Sequence, residues 1–268
     1  MKCDAAGNIV KYKARLVAQG FTQAQGVNFN ETFTPLAKLT SNCIILALAT
    51  RNDWEVHQVN VKNTYLNAEL DKEIYMMQPP GFTALGCEDW VCLLKKALYG
   101  LKQAGRQWYT CLTDAFLKFG YTCCEMEHCI FVRWSGCEFK AIIVAVDDLM
   151  IVVTLIILVE DATLELESVF KISDLGEVHW LLGIEITWDH STTTISLLQT
   201  TYIDAITSHF DLDNAKPVSM PMELELTLSV TQCPKTLFEI NEMKSVPYKV
   251  AVSSLMYAAI GTCPDIAL

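Results

Sequence analysis

Two adjacent carboxylates, Asp147 and Asp148, interrupt an otherwise apolar stretch that runs from Ala141 to Val153. Like charges side by side repel, and holding them among buried β-branched residues costs stability unless something compensates. The flanking runs favour strands, so the pattern predicts a β-hairpin with the acidic pair at its turn. A divalent, oxygen-seeking cation such as Mg2+ is one compensation, and phosphoryl transfer is its usual chemistry. A solvated turn is the other, because Asp hydrogen-bonds its own backbone in turns. The acidic pair alone leaves both open.

The same stretch raises the question of a membrane. Ala141 to Val159 holds 19 residues with only two charges. Ionised Asp at mid-span would cost about 2.5–3.5 kcal/mol each. The uninterrupted part, Leu149–Val159, has 11 residues and is too short to span a bilayer. A soluble chain is expected. Eleven cysteines without recognisable pairing, and no signal peptide, point to an intracellular, reducing location. Cys123, Cys124, His128 and Cys129 are close enough to suggest zinc, but half of a four-ligand set is missing, so buried thiols are expected.

A net charge of −11 argues against a nucleic-acid partner until its distribution is considered. Residues 1–150 carry 15 basic and 15 acidic side chains, whereas residues 151–268 carry 5 and 16. Basic residues cluster within the neutral part: Lys11, Lys13 and Arg15, then Lys95, Lys96, Lys102 and Arg106, with no acid between Trp90 and Tyr109. An anionic ligand fits the first half only.

Periodicity predicts a strand over 9–18, a helix over 43–50 after Thr40-Ser41, a strand over 56–61 and a loop at 78–82. Residues 103–120 predict an amphipathic helix with Trp108, Leu112, Phe116 and Phe119 on its core face. Further helices are expected near 161–170 and 202–210, a strand over 180–186, and extended chain from Pro217 onward. Strands and helices mix without a βαβ rhythm, so the fold class is α+β.

Ten segments together carry a resemblance. They are Tyr12–Phe21, Glu31–Pro35, Asp53–Gln58, Glu73–Met76, Gln78–Phe82, Ala97–Ala104, Arg106–Tyr109, Val146–Asp148, Leu182–Ile186 and Ala215–Val218. In this order they resemble the reverse transcriptase of copia-type long-terminal-repeat retrotransposons. The resemblance implies an α+β right-hand polymerase incomplete at both ends. Residues 1–210 would form fingers and palm, and 211–268 a partial thumb and connection leading toward a ribonuclease H domain. It also implies RNA-directed DNA synthesis on an RNA template and DNA primer with deoxynucleoside triphosphates, two Mg2+ ions and no membrane.

Residue by residue, the resemblance places Asp147 and Asp148 as metal-binding catalytic carboxylates. It places Lys13 and Arg15 against the incoming triphosphate, Tyr65 against its sugar, and Gln103 in the nucleotide pocket. Leu182 and Gly183 fall at a primer-gripping hairpin. The basic set Lys95, Lys96, Lys102 and Arg106 would meet nucleic acid. One departure dominates: Asn60 stands where the family has its third catalytic carboxylate, and an amide cannot bridge two Mg2+ ions with charge neutralisation. Ala145 replaces an aromatic residue and Gly105 a proline. The expectation is an impaired polymerase domain. The alternatives are a catalytically silent nucleic-acid-binding remnant and a membrane-associated fragment using Ala141–Val159.

Overall fold

The structure, a computed structural model, describes residues 2–3, 9–12, 14–218 and 227–267. Its Cα trace falls into two compact units, Met1–Val178 with His190–Thr194, and His179–Asp189 with Ile195–Leu268. In chain order the first unit contains β1 (Lys2–Cys3), β2 (Ile9–Lys11), α1 (Leu39–Asn52), β3 (Glu55–Val61), β4 (Glu69–Met77) and β5 (Val91–Lys96). It continues with α2 (Ala104–Lys118), β6 (Thr122–Cys123), β7 (Ile130–Ser135), β8 (Glu138–Ala145), β9 (Asp148–Val153), α3 (Ile157–Glu167) and β10 (Ile172–Glu177). The second holds β11 (Trp180–Leu181), β12 (Ile184–Asp189), β13 (Thr194–Leu198) from Ile195 onward, α4 (Thr200–His209), α5 (Leu237–Lys244) and α6 (Tyr248–Gly261). Helices and antiparallel sheets give the α+β class.

The centre of the first unit is a six-stranded sheet in the order β10-β3-β9-β8-β7-β6, with every neighbouring pair antiparallel. The apolar run suspected of spanning a membrane supplies β8, β9 and the start of α3. Apart from Glu138, all of β8 is buried, and so is β9 beyond Asp148. Strands buried on both faces read as continuous apolar runs, which is why this sequence imitates a membrane segment. No helix among the described residues is long and apolar enough to cross a membrane.

Helices α2 and α3 share one face of the sheet. Phe116 of α2 packs on Phe131 of β7, ring centroids 4.8 Å apart, while Asp161 of α3 pairs with Lys140 of β8. Phe131 is the register partner of Ile142, two residues from Lys140, so all these side chains point the same way. Trp108, Leu112 and Phe116 are buried as the helical spacing predicts. Phe119 lies past the helix end and is only half-buried.

The acids of α3 answer bases of the sheet. Lys140 is 5 % exposed and ion-paired to Asp161. Arg133 bonds Glu165 at 2.7 Å, lies 4.5 Å from the centre of the Tyr121 ring and donates to the Phe119 carbonyl. Burial raises the Tyr121 phenol, and the Glu165 charge raises it further.

Three expectations need correction. The strand over 9–18 is confined to Ile9–Lys11. The strand over 180–186 breaks into β11 and β12, because Leu182 (φ 51°) and Gly183 (φ 78°) turn the chain in the left-handed region. Alternating apolar residues continue through that turn, which hides it from a period-2 reading. Beyond Pro217, α5 and α6 replace extended chain: Thr236 caps α5 reciprocally with Glu239, a signature the prolines obscured.

The cysteines whose side chains are described are free thiols, and no cluster of three or more His, Cys, Asp or Glu among the described residues could hold a metal. Burial pushes the Cys129 thiol up to about 12 and also raises Cys123. That is the opposite of what a metal-ligating thiolate needs.

His190 also belongs to the first unit. Its Nδ1 lies 2.9 Å from Asp53 and its Nε2 3.9 Å from Glu177. The hydrogen bond to Asp53 raises its pKa above 6.5, with the Glu55, Asp53 and Glu177 charges adding to the rise. A raised folded pKa contributes stability that is complete below the unfolded value and lost as pH rises through the folded one. The site is exposed, so the contribution is below about 1 kcal/mol. Asp53→Asn is expected to lower the His190 pKa in a proton NMR titration and to remove this loss of stability from about pH 6.5 upward; an unchanged titration would show that the pair is not formed.

Candidate functional site

The acidic pair sits where the hairpin pattern put it. Strands β8 and β9 close through Ala145 opposite Asp148, leaving Val146 and Asp147 as a two-residue turn. Val146 adopts φ 63°, a conformation that β-branched residues avoid. Strand β3 runs beside β9 with Asn60 opposite Asp148. By the two-residue alternation, Asn60 and Asp148 project from the sheet face away from α2 and α3.

Three contacts tie the turn to β3. The Val61 amide donates to the Asp147 carbonyl at 2.7 Å. The Asn60 side-chain amide donates to the same carbonyl at 3.3 Å and to Asp148 Oδ1 at 2.9 Å. Asn60, Val146, Asp147 and Asp148 are half-buried. From the helical side, the Trp108 indole N–H donates to the Val146 carbonyl at 2.7 Å. The sequence marked Trp108 as a core residue only; a buried indole usually finds an acceptor, but the spacing did not say which.

A line of side chains leads away from the acids. Tyr65 follows β3 in a 3-10 turn, Thr64–Asn67, and its phenol is raised first by burial and then by the Asp147 charge. Its ring meets Tyr99 edge-on, centroids 4.8 Å apart. Arg15 lies 5.2 Å from the centre of the Tyr99 ring. Two of the sequence-predicted nucleotide-site residues, Arg15 and Tyr65, thus share one neighbour. Lys13 lies outside the described residues.

A close backbone crossing sets this line. The Ala18 amide donates to the Tyr99 carbonyl at 2.7 Å. Gly100 adopts φ 92°, and a Cβ on it would meet the Ala18 carbonyl oxygen at 2.1 Å. Only glycine satisfies both conditions.

Gln103 turns its side-chain amide inward. It is 1 % exposed; its Oε1 accepts from Gln23 at 3.1 Å and its Nε2 donates to the Asn28 carbonyl at 3.1 Å. Its amide anchors the loop before α1. Nearby, a Cβ on Gly105 would lie 2.9 Å from Thr34 Oγ1, so the glycine at this departure lets the 30–35 segment approach α2.

The four predicted basic residues lie on β5, on the turn before α2 and on α2 itself. Lys95 and Lys96 are consecutive in β5, so they face opposite sides. Lys96 is the register partner of Glu69, and Lys95 borders a cavity with Asp71, Lys72 and Glu73. Lys102 donates to the Gln23 carbonyl at 3.0 Å and lies over Phe29. Arg106 faces Glu31, whose carboxyl is held low first by the Phe33 and Thr32 amides and then by that charge. In the second unit, Leu182 and Gly183 form the β11–β12 turn, and the Tyr257 hydroxyl donates to the Leu182 carbonyl.

Residues 1–224 match the profile of the reverse transcriptase (RNA-dependent DNA polymerase) family. The chain is 42 % identical, over 100 % of its length and 20 % of the relative's, to the retrovirus-related Pol polyprotein from transposon TNT 1-94 of Nicotiana tabacum. It is 37 % identical to the corresponding polyprotein from transposon RE1 of Arabidopsis thaliana and 35 % to that from RE2, covering 99 % of this chain and 18 % of each relative. The chain therefore spans about a fifth of the length of these relatives.

Proposed function

Because the chain belongs to the reverse transcriptase (RNA-dependent DNA polymerase) family, we propose that it is the fingers and palm of a copia-type polymerase whose chemistry is impaired at Asn60. Residues 1–210 make up the fingers and palm, and 211–268 the connection beyond. RNA template, DNA primer and deoxynucleoside triphosphate are its ligands. Arg15 and Tyr65 serve the nucleotide, with Lys13 beside them in sequence and Gln103 as support. Lys95, Lys96, Lys102 and Arg106 contact nucleic acid through separate faces, and the Leu182-Gly183 turn holds the primer.

One observation carries the impairment. Asn60 donates its amide hydrogen to Asp148 Oδ1 at 2.9 Å, so the position that should offer a second negative oxygen offers a proton instead. A hard divalent cation needs anionic oxygens on its inner side. The donor set of Asp147, Asp148 and an inward-turned amide does not fit a pair of Mg2+ ions. The same amide satisfies Asp148 without metal, and this stabilises the turn. The chain is thus a folded polymerase domain built around a carboxylate that is already partnered.

Primer extension on an RNA template, with Mg2+ calorimetry in parallel, tests this for the unmodified chain and Asn60→Asp. The unmodified chain is expected to show weak Mg2+ binding and no extension. Asn60→Asp is expected to raise Mg2+ affinity at least about tenfold, because it restores the bridging charge. Without Mg2+ the variant should lose about 1–3 kcal/mol of stability, since a hydrogen bond to a charged acceptor becomes a like-charge contact. The introduced carboxyl holds its proton more tightly folded than unfolded. Its penalty therefore grows as pH rises above about 4 and is relieved by acid or by Mg2+. Robust extension by the unmodified chain would overturn the proposal. Salt-sensitive nucleic-acid binding without extension, by both proteins, would favour a silent binding module.

A further inference from the structure

We infer that Trp108 is the positioning residue of the acidic turn, holding Val146 in its left-handed conformation so that Asp147 and Asp148 keep their places. The inference rests on the reading of that turn as the polymerase site. Val146 is the observation that demands an agent. Its φ of 63° is one that a β-branched residue adopts only when its surroundings over-determine it. Neighbouring strands account for the ends of the turn: Ala145 and Asp148 are paired in the ladder, and the Asp147 carbonyl is held by Val61 and Asn60. Those contacts leave the Val146 carbonyl, the group whose direction the strained residue sets. The Trp108 indole meets it at 2.7 Å.

Trp108 is suited to hold a position. It is 2 % exposed, its ring lies edge-on to Phe170 with centroids 5.1 Å apart, and it sits in the second turn of α2, whose first residues follow the anchored Gln103. A buried indole packed against Phe170 cannot follow the turn if the turn relaxes. Relaxation would orphan a buried donor, which costs more than the hydrogen bond itself contributes. The acidic turn is therefore held within the sheet by β3, on one face by the Asn60 side chain and on the other by α2.

Amide hydrogen exchange on the full chain tests this with Trp108→Phe, which keeps the aromatic bulk and removes only the donor. The Val61 amide reports on the turn, because its acceptor is the Asp147 carbonyl. The expected result is roughly tenfold faster exchange at Val61, the factor that follows from about 1.4 kcal/mol of lost local stability, with amides beyond Ile151 in β9 unchanged. A uniform rise across the sheet, or no rise at Val61, would overturn the inference. In a Val146→Gly background the strain is gone, so the same Trp108→Phe change should accelerate Val61 far less; an undiminished effect would show Trp108 to be ordinary packing. Adding Trp108→Phe to Asn60→Asp separates this inference from the proposed function. Loss of the regained Mg2+ affinity supports both, whereas failure of Asn60→Asp itself to bind Mg2+ counts against the polymerase reading and leaves the exchange result to decide the role of Trp108.

Discussion

Asp161→Ala is expected to destabilise the fold by about 3 kcal/mol, whereas Lys140→Met is expected to change stability by less than about 1 kcal/mol. The asymmetry follows from where the two charges sit. The Lys140 side chain is 6 % exposed and that of Asp161 57 %. Removing the carboxylate strands an ammonium group inside the sheet–helix layer. Arg133, 3.8 Å from Asp161, is then left as a like charge without its shared partner. Removing the lysine strands only a carboxylate that water already reaches, and methionine refills the space of the alkyl stem. Urea denaturation of the two variants measures both. Equal losses would show that water reaches Lys140 and that α3 is not held by this pair.

Gly100→Ala is expected to cost about 2–4 kcal/mol and to free the segment that carries Arg15. Two penalties combine at this residue: φ 92°, and a Cβ 2.1 Å from the Ala18 carbonyl oxygen. Backbone cannot swing aside as a side-chain end can, so the crossing must open and the Ala18–Tyr99 hydrogen bond must break. Gly136→Ala is the control, since Gly136 also has positive φ (62°) but nothing within 4 Å of its Cβ position. It should cost only about 1 kcal/mol. Limited proteolysis within residues 14–19 should accelerate for Gly100→Ala and not for Gly136→Ala. Equal behaviour of the two would mean that the crossing does not hold the segment.

The sequence made the hairpin legible because its chemistry is local. Apolar runs on both sides of Asp147-Asp148 leave few other folds, and β3 announces itself by alternation. The helical stripe of α2 was equally legible, since burial of Trp108, Leu112 and Phe116 follows from spacing alone. Direction was not legible. Periodicity cannot say that the Trp108 indole finds the Val146 carbonyl, or that the Gln103 amide turns inward to Gln23 and Asn28, because those partners are set by tertiary packing. The arrangement of the basic set was not legible for a related reason. Lys95 and Lys96 are neighbours in sequence, and in a strand that places them on opposite sides. The turn at Leu182-Gly183 was hidden by apolar residues that continue through it.

Strand β3 has a consequence for how such a chain is made. It lies between β9 and β10 in the finished sheet, yet its Asn60 stands 88 residues before Asp148, and β10 begins later still, at Ile172. During synthesis β3 emerges early and waits with both edges unpaired until most of the first unit has followed. Unpaired apolar strands recruit other strands, so β3 is the point at which aggregation of nascent chains would begin. Closing so long a loop also makes pairing of β3 with β9 a late step in folding. The acidic site is therefore assembled among the last parts of the unit, and a ribosome stalled before Asp148 releases a chain with no site at all.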